Sequence, residues 1–179
     1  MDLFYSPRKR VVLVSGYMDP VGVQHIQLFK AAKALYPNTT LIVGINSNEC
    51  CQMKKGQPPF MDWQDRKTVC ESIRWVDEVW DFEDSDGTAC KFLEKCYNKY
   101  RVLVDTDCGD IVFANGGDRR PDGDPIPEES WAKDNCPKIK FEYGVGGRNK
   151  SGSSSDCLRN WVNNTLKRYG IDFQVSGKY

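Results

Sequence analysis

At 179 residues the chain has the size of one ordinary domain with a single sizeable core. Its 25 lysines and arginines balance 25 aspartates and glutamates, so no overall field favours nucleic acid or an anionic membrane. No apolar run suits a signal peptide or a bilayer span, which leaves a cytoplasmic domain with no membrane partner as the expectation.

The eight cysteines do not read as a disulfide framework. Cys70, Cys90, Cys96 and Cys157 fall inside helix-like stretches of a chain too large to need such staples, so reduced thiols are expected. No C-x-x-C pair occurs, and the lone histidine, His25, cannot complete the common zinc sets.

In chain order, Val11 to Val14 form a β-branched apolar run of buried parallel-strand type. Gly16 permits a sharp turn, Pro20 forbids further pairing, and Ile26, Phe29 and Leu35 then recur at helical spacing. Thr40 to Asn46 reads as a second buried strand. Ser47 to Phe60, with its lysines, glycine and prolines, reads as a loop holding at most one helical turn. Asp62 suits an N-cap for a helix from Trp63 to about Trp75, with Val69, Ile73 and Val76 on its inner face.

Glu78 to Phe82 is a short strand, and Thr88 to about Tyr100 a helix burying Cys90, Leu93 and Tyr97. Arg101 to Asp105 is compatible with strand or turn; Ile111 to Asn115 is a strand. The polar, proline-rich stretch Arg119 to Pro127 reads as an exposed loop, and Pro127-Glu128-Glu129 as the first turn of a short helix. Lys138 to Tyr143 makes a fifth strand. A glycine loop, Gly144 to Gly152, leads into a helix from Ser153 to Tyr169 that Gly170 ends.

Strands alternating with helices predict an α/β fold, Rossmann-like and three-layered (αβα), with a parallel sheet of about five strands. The core is expected over about 10–160, with a C-terminal helix and tail over 153–179. Ligands in such sheets bind beyond the carboxyl ends of the strands. The turn at 16–25 and the loops at 115–119 and 144–153 each follow a strand and should meet there.

The residues Gly16-Tyr17-Met18-Asp19-Pro20-Val21-Gly22-Val23-Gln24-His25 resemble the G-x-F-D-P-x-H-x-G-H signature of the HxGH nucleotidyltransferases, the cytidylyltransferase-like superfamily. Its members include glycerol-3-phosphate cytidylyltransferase and the adenylyltransferase domain of ADP-heptose synthase. Further blocks follow in family order: Lys54-Lys55-Gly56 with Asp65-Arg66, Val76 to Val79, Phe113 to Arg119, and Gly146 to Lys150 with three serines. The chain departs from the signature at Gly22, where the first histidine would stand, and at Gln24, where the glycine would.

The resemblance implies transfer of a nucleoside monophosphate from CTP or ATP to a phosphorylated alcohol or sugar, with pyrophosphate released. Its partners would be a nucleoside triphosphate and that phosphorylated small molecule, not nucleic acid. Mg2+ would arrive with the nucleotide, without an assigned protein metal ligand. Such domains often pair as homodimers. The alternative is a catalytically impaired nucleotide-binding or scaffold relative, because Gly22 lacks the first motif side chain.

Carried onto these positions, His25, Lys55 and Arg148 are the catalytic candidates. Gly16, Tyr17, Met18, Asp19, Gly22 and Lys54 are nucleotide-binding candidates in the first half of the chain. Asn115, Gly117 and Asp118, then Ser153, Ser154 and Ser155, complete that set. Arg66, Arg119 and Lys150 are candidates for the phosphorylated substrate. Early-helix His25 suits donation to a developing phosphate oxygen, the lysines act as mobile point charges, and serines opening a helix cradle anions.

Overall fold

A computed structural model of the chain describes residues 8–117, 126–147 and 153–171. Five strands make one sheet: β1 (Lys9–Gly16), β2 (Thr39–Ile45), β3 (Glu78–Trp80), β4 (Gly109–Gly116) and β5 (Ile139–Val145). They are ordered β3-β2-β1-β4-β5, and every pairing is parallel. Six helices connect or follow them: α1 (Val23–Lys33), α2 (Asn48–Lys55), α3 (Trp63–Glu71), α4 (Cys90–Asp105), α5 (Pro127–Asn135) and α6 (Ser154–Arg168).

Side chains alternate across the sheet and divide the core in two. Val11, Leu13, Ile42, Ile111 and Phe113 pack with Phe92 and Leu93 of α4 and Ala132 of α5. Val12, Val14, Leu41, Val43 and Val112 pack on the other face with Phe29 and Ala32 of α1 and Cys70 of α3. A sheet buried on both faces needs strands apolar throughout, which is what Val11 to Val14 supply. The three-layer α/β arrangement expected from the sequence is thus present. Strand order reverses between β1 and β4, and that switch point is where a parallel sheet opens a crevice.

Three expectations are corrected. The stretch after β2 is a full eight-residue helix, α2, rather than a loop: the Ser47 hydroxyl accepts from Cys50 N at its start, and Gly56, at φ 71°, closes its end. Arg101 to Asp105 is neither strand nor turn but the end of α4, with Leu103 and Val104 packed on the core. Helix α3 stops at Glu71, and its buried face carries Arg66 and Cys70 while Val69 is exposed. Asp62 holds the N-cap position of α3 without a side-chain cap; its carboxylate instead accepts from the Asn48 amide.

At the C-terminus, α6 ends in two reverse hydrogen bonds, Ile171 N to Leu166 O and Gly170 N to Lys167 O, with Gly170 at φ 70°. That pairing satisfies carbonyls left over at the helix end. All eight cysteines are free thiols, six buried and two, Cys108 and Cys157, exposed. Among the described residues no helix is long and apolar enough to cross a membrane.

Candidate active site

A cleft of about 560 Å³ opens over the carboxyl ends of β1 and β4. Its floor is the turn leaving β1, from Gly16 through Asp19, and one wall is the first turn of α1 with Gly22 and His25. Lys54 and Lys55, ending α2, reach it from the side. Asn115 and Gly117 enter from β4, and Ser153, Ser154 and Ser155 from the start of α6. Residues far apart in sequence are therefore assembled around one cavity, through the strand ends that carry them.

The α1 turn is built for an anion. Gly22 is the N-cap and has no side chain to satisfy the amides behind it. His25, at the third helical position, reaches back so that its Nδ1 accepts from Gly22 N at 3.0 Å. This is half of a capping box with imidazole in place of carboxylate or amide. In the neutral ring an accepting Nδ1 leaves the proton on Nε2. The histidine is thereby oriented, with Nε2–H as its donor; its ring also stacks on Phe29 with centroids 6.5 Å apart.

Asp19, only 4% exposed, ties this turn to the segment after α2. Its carboxylate accepts from Phe60 N at 3.0 Å, Met61 N at 2.9 Å and Lys55 Nζ at 3.4 Å. Lys55 Nζ also lies 5.3 Å from the centre of the Tyr17 ring. Lys55 is thus poised at the cleft by an acid and an aromatic face rather than trailing in solvent. Burial, then Cys50, push the Tyr17 phenol above its ordinary range, and burial, then Asp84, push the Cys50 thiol up to about 11. Both stay protonated at neutral pH, so neither adds negative charge to an anion-binding floor.

Several predicted contributors are placed differently from expectation. Arg66 does not line the cleft: it is fully buried, and its guanidinium donates to the carbonyls of Met61, Tyr17 and Asn46 and to Asn48 Oδ1. It contacts no solvent-facing ligand site and instead clamps the loops that form one. Met18 lines the cleft but is 1% exposed, packed inward at φ 53°.

The serines opening α6 are partly engaged already. Ser153 Oγ accepts from Asp156 N at 3.1 Å while Ser153 N donates to Asp156 Oδ2 at 2.8 Å, a complete capping box, and Ser154 Oγ donates to Pro20 O at 2.7 Å. Asp156 puts a carboxylate at that helix start, so α1 is the better anion site of the two. Asp118, Arg119, Arg148 and Lys150 lie outside the described residues.

The signature departures have a physical reading. A side chain at Gly22 would start 3.3 Å from Ser154 Oγ, so the place a first histidine would take borders the α6 serines. Gln24 lines the cleft, and its buried Nε2 has no hydrogen-bond partner among the described residues. Ile126 and Glu128 also line the cleft, unannounced by the sequence because a Pro-Glu-Glu helix start explains itself locally. Gly146, at φ +86°, lets the β5 loop approach Leu28 of α1, where a Cβ would meet Leu28 Cα at 3.1 Å.

No group of three His, Cys, Asp or Glu suited to a metal occurs among the described residues, and the Asp19 carboxylate is already engaged by three donors. A magnesium ion in this cleft would therefore need ligand phosphates and water for most of its coordination.

Comparison with known proteins agrees with this arrangement. Over 74 residues the chain is 38% identical to a protein named FAD synthase from Pyrococcus horikoshii, covering 41% of this chain and 49% of that one. It is 25% identical over 167 residues to an ethanolamine-phosphate cytidylyltransferase from Arabidopsis thaliana, covering 92% of this chain and 37% of the relative. The chain thus spans half or less of the length of these curated relatives. In structure it resembles a putative nicotinate-nucleotide adenylyltransferase from Vibrio parahaemolyticus, at TM-score 0.53 and 12% identity over 91% of this chain and 94% of that one. A lipopolysaccharide core biosynthesis protein from Thermoplasma volcanium gives TM-score 0.51 at 19% identity, over 75% of this chain and 93% of that one. These two likenesses concern the fold. The family profile described as cytidylyltransferase-like matches residues 13–141. The chain belongs to the cytidylyltransferase-like family.

Proposed function

We propose that the protein is a nucleotidyltransferase that moves a nucleoside monophosphate from CTP or ATP onto a phosphorylated alcohol or sugar. The observation that carries this reading is that the α1 turn with His25, the α2 lysines and the α6 start share one cleft at the β1–β4 switch point. Relatives named FAD synthase and ethanolamine-phosphate cytidylyltransferase support the reaction class and a phosphorylated acceptor.

In the proposed step an acceptor phosphate oxygen attacks the α-phosphorus in line. A new P–O bond forms, the bond to the β-phosphate oxygen breaks, and pyrophosphate leaves with the negative charge. The protein's part is to position groups and stabilise charge. His25 Nε2–H donates to a phosphate oxygen as charge develops there, Lys54 and Lys55 sit over the departing phosphates, and the α1 amides hold an anion. A magnesium ion brought with the triphosphate would neutralise part of its charge. Pyrophosphate release measured with CTP and ATP against a panel of sugar and alcohol phosphates tests this. The account predicts release that depends on one nucleotide and one acceptor class; nucleotide binding with no release for any acceptor contradicts it.

One observation favours a second reading, a nucleotide-binding or scaffold relative. Gly22 supplies a backbone amide alone, and that amide is already given to His25. Replacing Gly22 with histidine separates the two readings.

A further inference from the structure

Glu128 is chemically out of keeping with the cleft it lines. The α1 turn, His25, Lys54 and Lys55 all suit an anion, and the other carboxylate among the described lining residues, Asp19, is taken up by three donors. Glu128 is held rigidly. Its Oε1 accepts Ala89 N at 2.8 Å, which caps α4. The neighbouring Glu129 accepts the Tyr143 hydroxyl, and Ile126, 3% exposed, pins the entry to α5. One oxygen of Glu128 is thus used; among the described residues no donor reaches the other.

A carboxylate only accepts hydrogen bonds, so phosphate oxygens are excluded as its partner and hydroxyl or amine donors are suited to it. Helix α1 packs on one face of the sheet and α5 on the other. Gly22 and His25 of the α1 turn and Glu128 line the same cleft, so a ligand whose phosphates sit at α1 can present its other end to Glu128.

We propose that Glu128 is a specificity-determining residue, accepting a hydrogen bond from a hydroxyl or amine on the end of the ligand remote from the phosphates. The donor belongs either to the nucleoside or to the acceptor. This inference rests on the transferase reading. It makes the site select for molecules that carry such a donor, beyond their phosphates.

The test is calorimetric titration of the full chain and of Glu128→Gln, in magnesium buffer, with two ligand sets. Glutamine keeps an acceptor for Ala89 N and so preserves the α4 cap while removing the charge; an unchanged melting curve checks this. The first set compares CTP and ATP with their 2′-deoxy and 3′-deoxy forms and with UTP and ITP, which lack the exocyclic amine. The second compares glycerol 3-phosphate and phosphoethanolamine with ethyl phosphate, which has no donor.

The proposal predicts that the parent chain prefers donor-bearing members of one set by about tenfold or more. Glu128→Gln should abolish that preference, and the set in which it does so identifies the source. Equal preferences in parent and variant, no preference in either set, or a uniform tightening of every phosphate in the variant would overturn it. A parent chain that binds no nucleotide contradicts the transferase reading and takes this inference with it. Unchanged ratios on a nucleotide-binding chain overturn this inference alone.

Discussion

The Gly22 backbone amide donates to His25 Nδ1 at 3.0 Å, so a residue with no side chain fixes the orientation of the protein's only histidine. The bond sets the tautomer that makes Nε2 the donor. His25→Ala should lower kcat about a hundredfold or more, as removal of one preorganised donor commonly does. His25→Asn keeps a short acceptor for the Gly22 amide but has no Nε2. It should restore stability toward the parent without restoring rate. Steady-state pyrophosphate release alongside melting curves checks this; an unimpaired His25→Ala enzyme would exclude His25 from the chemistry.

Gly22 has ordinary extended backbone, φ −118° and ψ 178°, and among the described residues a Cβ there meets the Ser154 hydroxyl alone, at 3.3 Å, a contact the serine relieves by giving a few tenths of an ångström. Histidine is therefore accommodated without backbone strain. Gly22→His should fold like the parent and raise kcat by about tenfold or more, with nucleotide affinity little changed, because it adds a second donor to the phosphate site. A loss of rate instead would show that the glycine belongs to a working variant of the site.

Arg66 offers the clearest separation of support from catalysis. Its guanidinium serves four acceptors from three segments while fully buried. Lysine is a point charge that cannot span them. Arg66→Lys should lower unfolding free energy by about 2–4 kcal/mol, read by urea denaturation. A variant of parent stability but with a large rise in acceptor KM would instead make Arg66 a ligand contact.

Asp110 gives the protein an acid-sensitive joint far from the cleft. Burial alone would raise its carboxyl pKa, but hydrogen bonds from Arg8 and Lys140 outweigh burial and hold it below the ordinary range. A depressed native pKa stabilises the fold at pH values above the ordinary carboxylate value of about 4. That contribution is lost as pH falls through the native value. Asp110→Asn should be less stable than the parent at neutral pH, and the difference should shrink below about pH 4. A difference independent of pH would contradict this.

How far the sequence reveals this molecule depends on the range of the interactions involved. The β-branched run Val11 to Val14 and the Ser153 and Gly170 helix boundaries are local signals, and the strands and α6 lie where they imply. Helix α2 was hidden because its caps, Ser47 and Gly56, sit in a stretch rich in turn-forming residues. The end of α4 was hidden because Val102-Leu103-Val104 carries strand propensity that packing against the core overrides. The clustering of His25, Lys54, Lys55 and the α6 serines was legible from the family resemblance and from the rule for strand ends. The burial of Arg66 was not, since its four acceptors are brought together only by the tertiary fold. Glu128 was likewise invisible as a cleft residue, because its first-turn position in α5 gives it a sufficient local role.

Whether the α1 turn and the α2 lysines grip one triphosphate is decided by titrating CTP and ATP, with magnesium, into the parent chain and Lys55→Ala. At least one nucleotide should bind saturably, about tenfold or more weakly once the Lys55 charge is removed. No nucleotide binding by the parent, or equal affinity in the two proteins, would contradict it.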